Sequence, residues 1–207
     1  QLGAMASTQI AALTTAQVSS LTTAQVTGFG TTQLQALTAA QVSALTTENV
    51  EALNATQIGA MTSTQLGALS GTQMTQFTTL EVSGLSTTQI AGLKITTLNA
   101  LDSGDLTALN AGALTSAQVA GLSTGQVATL ATTQVASLGL TQVAAMTTLQ
   151  VASLTTLQVA GMATAQIRAL TVAQVKALSG DAIETLTGTQ LGAMASTQIA
   201  ALTTAQV

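Results

Sequence analysis

The side chains able to carry acid–base or metal chemistry are few enough to name. The 207 residues hold seven carboxylates, three cations (Lys94, Arg168 and Lys176), and no Cys, His, Tyr or Trp. Glu48 with Glu51, or Asp181 with Glu184, are the pairs that would serve as a general acid and base. Acidic residues early in a helix are also what the helix dipole favours. With no imidazole, phenol or thiol to complete a mechanism, no catalytic residue is assigned. A calcium site is the second possibility, because Asp102, Asp105 and Asn110 cluster and their oxygens suit a hard cation. The ligand order of a helix–loop–helix calcium loop is missing, however. The simpler reading makes Asp102 and Asn110 helix N-caps at an irregular joint. Without thiolate or imidazole ligands there is no zinc site to propose, and no cofactor is expected.

Composition narrows the remaining classes. A formal charge of −4 offers no basic patch to neutralise phosphates, so nucleic acid is not an expected partner. The mean hydropathy is +0.53, yet Thr, Ser and Gln break every apolar run. None approaches the roughly 18–20 residues that a membrane span needs. Hydrophobic content of 47% with 5% charge and 1% aromatic residues is unlike an ordinary globular domain and points to a repetitive or fibrous class.

The repeat is explicit. Large apolar residues fall every eight positions from Met5 through Leu109, the spacing slips once to Leu114, and it resumes through Leu202. The slip is a unit that has lost three residues. The consensus octad is Leu-Thr-Thr-x-Gln-Val-x-Ala. Arg168 and Lys176, at position 7, read as solvated surface, and the Met residues, mostly at position 1, as packing. The whole chain, 1–207, reads as one continuous array with the slip at about 109–114. Residues 190–207 repeat residues 1–18 without change, an offset of 189 residues that predicts a higher-order repeat and a longer parent protein. Any targeting segment is expected outside the present sequence.

An octad suits neither a continuous helix nor a continuous strand. Eight residues at about 100° each leave the apolar stripe displaced by about 80° per unit. In a strand, positions 1 and 6 would point to opposite faces. The chain must turn within each unit, and Thr-x-x-Gln at positions 2 and 5 says where. It fits a capping box, with the hydrophobic residues at positions 1 and 6 forming the staple across it. Thr14 with Gln17, Thr22 with Gln25, Thr38 with Gln41 and Thr155 with Gln158 are such boxes. Leu13 with Val18, Leu21 with Val26, Leu37 with Val42 and Leu154 with Val159 are the corresponding core pairs. About fifteen of the 26 octads keep both capping residues. Where position 2 is Ala or Gly, as at Ala6, Gly30, Ala131 and Ala163, a hydroxyl at position 3 (Ser7, Thr31, Thr132, Thr164) is expected to deputise.

The predicted fold is therefore all-α: a solenoid of very short, one-to-two-turn helices, one per octad, stable only when stacked. Small residues at position 8, such as Gly84, Gly92, Gly121 and Gly161, would permit close approach or tight exits. The alternative is a β-solenoid, favoured by the Thr, Val and Ile content. The number of octads per superhelical turn is not written in the pattern. Between Lys94 and Leu114 the pattern is irregular, with Thr97 and Asp105 replacing Gln, and the three-residue loss is expected to bend or re-register the stack. Regular stacking would also turn Thr at position 3 and Gln at position 5 into ladders of neutral polar groups, suited to side-by-side self-association.

The stretches LTTAQVSSLTTAQV and MTTLQVASLTTLQV resemble Leu-Thr-Thr-x-Gln-Val arrays of very large, repetitive secreted and cell-surface proteins of bacteria. That resemblance covers the whole chain and implies an extracellular setting. It carries no binding residue across. The expected function is a non-catalytic structural segment, the wall of a filament or sheath or the stalk of an adhesin, whose partner is itself. The alternative is a binding module presenting a solenoid surface to a polymer, calcium or ice.

Overall fold

The computed structural model describes residues 2–207. Among them are 24 α-helices of four to six residues, two short 3-10 turns and no strand, so the β-solenoid is not the architecture. Each helix opens at position 3 of its octad and closes between positions 6 and 8, as in Ser63–Leu66, Thr156–Ala160 and Thr31–Ala36.

The corner between helices is made of two extended residues. Leu37 ends one helix at φ −64° and ψ 135°, and Thr38 precedes the next at φ −71° and ψ 161°. These are ordinary angles for any L-residue. Among the described residues no glycine or other residue has positive φ. Glycine is therefore not needed for the exits. Its use is close approach: a Cβ on Gly67 would lie 2.4 Å from the carbonyl oxygen of Gly92, and one on Gly92 would lie 2.7 Å from the Cβ of Ser63.

The chain forms two compact units, Gln1–Leu109 and Asn110–Val207. Within each, every helix packs on the one three octads further along. In the first unit Ser7–Ala11, Thr31–Ala36, Ala55–Ala60, Thr79–Ser83 and Ser103–Ala108 form one such column. Thr15–Ser19, Ala39–Ser43, Ser63–Leu66 and Thr87–Gly92 form the second, and Thr23–Thr27, Thr47–Glu51, Gly71–Met74 and Ile95–Leu98 the third. Three octads thus make one turn of the solenoid, a coil with three helical sides.

The second unit repeats the scheme and includes the shortened octad. Ala111–Ala113 is a 3-10 turn that packs on Thr132–Ser137, just as a full helix would. Ala111, 1% exposed, takes the place of the usual position-6 valine. The deletion therefore removes positions 3 to 5 and keeps the core residue, so inside this unit the shortened octad still fills one side of the coil.

Positions 1 and 6 supply the core. Val18, Val26, Val42 and Val159 are fully buried, and so, nearly, are Leu37 and Leu154. Leu13 and Leu21 are only partly buried, since they belong to the first coil. Burying a Leu or Val side chain contributes about 1.5–3 kcal/mol, whereas a five-residue helix has no stability of its own. Coil-on-coil packing is what holds these helices.

Candidate functional site

The residue that joins one coil to the next is the glutamine at position 5. Its side chain first closes its own helix. Gln17 Oε1 accepts the Thr14 N–H at 2.8 Å, and Thr14 Oγ1 accepts the Gln17 N–H at 3.2 Å. The same reciprocal pair joins Thr22 to Gln25 at 2.8 and 3.3 Å and Thr38 to Gln41 at 2.6 and 3.2 Å. In the second unit it joins Thr155 to Gln158 at 2.8 and 3.2 Å.

The amide nitrogen then reaches the coil below. Gln41 Nε2 donates to the carbonyls of Leu13 at 2.6 Å and Ala11 at 3.1 Å. Gln65 donates to Leu34 and Leu37, each at 2.7 Å, and Gln158 donates to Leu130 at 2.6 Å and Val127 at 3.0 Å. The recurring sequence separations are 28 and 31 residues. These carbonyls flank a corner, where one helix has ended and the next has not begun, and so lack a complete set of helical donors. One glutamine is thus a clamp with two ends, an acceptor on its own N-terminus and a donor to the open carbonyls of the previous coil.

Burial follows from this role. Gln150 and Gln158 are each 2% exposed, while Gln17 and Gln25 in the first coil are exposed. Among the described residues no buried side-chain nitrogen or oxygen lacks a partner. The expectation that position-5 amides form outward ladders for side-by-side contact is therefore corrected, because those amides are consumed inside the stack. Threonines at position 3 such as Thr15, Thr23 and Thr87 do remain exposed.

Substitutions at position 5 sort by what the new group can donate. Asn49 Nδ2 reaches the Leu21 carbonyl at 3.0 Å, and Thr97, fully buried, places its hydroxyl 3.3 Å from the Leu69 carbonyl. Glu81 Oε2 accepts the Thr78 N–H at 2.8 Å but has no amide to donate. The capping box accepts Glu or Gln alike. The near-absence of Glu from position 5 is the sequence signal that a donor is also required there.

The deputy hydroxyls are not used. Gly30, Ala131 and Ala163 remain the N-caps of their helices with no side-chain cap bond, and Thr31, Thr132 and Thr164 are already the first helical residues. The glutamine half survives, as in the Gly30 N–H to Gln33 Oε1 bond of 2.8 Å.

The carboxylate candidates lie apart from any such centre. Glu48, Glu51, Asp181 and Glu184 are exposed. The Glu48 carboxyl is held below its ordinary range, first by its own backbone N–H and then by the Thr46 and Thr47 hydroxyls. Asp102 caps its helix by accepting the Asp105 N–H at 2.9 Å. Asp105, 7% exposed, accepts the Thr79 hydroxyl at 3.1 Å. Burial pushes its carboxyl up, against the pull of that bond, and the charge of Asp102 adds to the rise. Asn110 lies at the N-cap of the shortened octad without a side-chain cap bond. No three His, Cys, Asp or Glu residues group as metal ligands among the described residues, and no helix there is long and apolar enough to cross a membrane.

No curated protein matches the chain. The sequence of residues 1–31 matches the model of the ALTTAQ repeat family. The six letters of that name spell the corner and clamp of this octad, from the small residue at position 8 through the apolar corner and paired threonines to the glutamine, and over those residues the chain is a tandem repeat similar to the ALTTAQ repeat.

Proposed function

We propose that this chain is a non-catalytic structural segment of a very large extracellular protein, a filament or sheath wall or an adhesin stalk, which works by stacking coils and by self-association. The observation that carries the reading is the glutamine clamp. The same side chain, repeated at position 5 with exceptions at Asn49, Glu81, Thr97, Asp105 and Ala182, ties coil to coil along each unit. A surface depression lined among others by Thr27, Phe29, Thr31, Asn54 and Thr56 holds no ionisable group. An assembly built by repetition needs no such site. It needs an interface that reproduces itself, and the clamp supplies one. The extracellular setting rests on the resemblance of the Leu-Thr-Thr-x-Gln-Val units to secreted and surface arrays.

Stretching a single chain held at its two ends tests the structural role. Resistance that yields in small, equal steps, one coil of about 24 residues at a time, supports a load-bearing stack. Extension without resistance, as from a disordered chain, contradicts it.

A further inference from the structure

Beyond the role proposed above, we propose that the coil of residues 77–100 is a hinged seam in the first unit. It is pinned to the coil below on the second column, at Gln89 and Gly92, and can lift on the first and third columns, at Glu81 and Thr97. Three position-5 residues of each coil face the coil beneath. Residues 53–76 are held there by Gln57, Gln65 and Gln73, which donate to the carbonyls of Phe29, Leu37 and Leu45 at 2.9, 2.7 and 2.7 Å. Among the described residues, every other three-sided coil seated within its own unit keeps at least two such glutamines, as Gln166 and Gln174 do for residues 162–185. The coil of residues 77–100 keeps one.

The three columns of this coil differ in kind. On the first, the Glu81 carboxylate closes its own box with the Thr78 N–H, but it has no hydrogen to give the Leu53 carbonyl 28 residues back. On the third, Thr97 offers a single hydroxyl bond to Leu69 at 3.3 Å, and Lys94, the N-cap of its helix, makes no side-chain cap bond. From above, the first column is met by Asp105, whose carboxylate accepts the Thr79 hydroxyl at 3.1 Å instead of donating. The second column is the opposite. Gln89 donates to Met61 at 2.8 Å and Ile58 at 3.2 Å, and a Cβ on Gly92 would lie 2.7 Å from the Ser63 carbonyl oxygen. With one column tightly held and two weakly tied, the easiest opening is a tilt about the second. On the load-bearing reading, a pulled stack yields at this seam before a coil unravels.

Amide hydrogen exchange on the full chain tests the seam, because three position-6 amides of this coil share the same local bond. Val82, Ile90 and Leu98 are fully buried and donate to the carbonyls of Thr78, Ser86 and Lys94 at 3.0 Å each. Val82 and Leu98 should exchange faster than Ile90. Glu81→Gln should slow Val82 by about two- to ten-fold while leaving Val151 of the second unit unchanged. Glu81 already closes its box, so that variant adds the donor alone. Thr97→Gln should likewise slow Leu98. Equal exchange at Val82 and Ile90 in the parent chain, no slowing in either variant, or equal slowing at Val82 and Val151 would overturn the seam. The load-bearing role stands or falls separately, by the stretching experiment.

Discussion

The side-chain amide of Gln65 lies 2.7 Å from the carbonyl of Leu37, 28 residues back along the chain. That spacing is one coil of 24 residues plus the four that separate position 1 from position 5 of an octad. The same relationship joins Gln41 to Leu13, Gln150 to Leu122 and Gln198 to Leu170. A clamp so placed converts a local capping device into a long-range tie, and the consequences can be measured.

Asn49→Gln should stabilise the chain. Asn49 reaches the coil below through Nδ2, but α-helix Thr47–Glu51 lacks the return bond from a position-5 side chain to its N-cap N–H. One more methylene restores both ends of the clamp. The expected gain is about 0.5–1.5 kcal/mol, read as a higher urea midpoint. A lower midpoint would mean that the pocket around Asn49 cannot hold the longer side chain.

Asp105 gives the stack a pH dependence of known sign. Its carboxyl is raised above the ordinary 3.8, chiefly by burial. A raised carboxyl pKa means that the folded state favours the proton. Its contribution is present in full below the ordinary value and is lost as pH climbs through the raised one. Glu48, lowered from 4.5, acts in the opposite sense, its contribution being lost as pH falls through its lowered value. The difference between the parent chain and Asp105→Asn isolates Asp105. The variant should gain about 0.5–1.5 kcal/mol at neutral pH, because an amide there can donate toward the coil below as Asn49 does. That advantage should shrink as the pH is lowered past the raised value. Thermal melts from acid to neutral pH check it, and an advantage independent of pH would refute the assignment.

Two glycine substitutions should part company. Gly59→Ala meets nothing within 4 Å and lies within the helix Ala55–Ala60, so it should stabilise by about 0.5–1 kcal/mol through helix propensity. Gly67→Ala would press its Cβ to 2.4 Å from a backbone oxygen of the next coil, and should cost about 1–3 kcal/mol. Denaturant midpoints of the two variants measure the contrast. Equal effects would show that coil spacing is not set at Gly67.

Much of this fold was legible in the octad. Thr14 and Gln17 mark a helix start by chemistry alone, and Leu13 and Val18 mark its inward side by the staple that accompanies the box. The number of sides was hidden because it depends on how sharply the two extended residues at Leu37 and Thr38 turn the chain, which no residue type there prescribes. The outward reading of glutamine failed for a related reason. The box uses only Oε1, and nothing within one octad says where Nε2 goes. The answer lies in the coil beneath, at a carbonyl 28 residues distant. The clue available was negative: Glu caps as well as Gln, yet stands at position 5 only at Glu81. The shortened octad was visible as a slip in phase, but that Ala111 would keep one side of its coil in place depends on packing against Thr132–Ser137.

The most direct test of the clamp compares Gln41→Met with Gln17→Met. Both glutamines close a capping box on a threonine N-cap, but only Gln41 also donates to a coil below, at Leu13 and Ala11. Losing the box bond alone should cost about 0.5–1 kcal/mol. Losing the clamp as well strands partly buried carbonyls and should add about 1–3 kcal/mol. Chemical denaturation, with amide hydrogen exchange across residues 10–44, should therefore show Gln41→Met clearly the more damaging and Gln17→Met only mildly destabilising. Equal losses in the two variants would mean that glutamine only caps its own helix, and would contradict the coil-to-coil clamp.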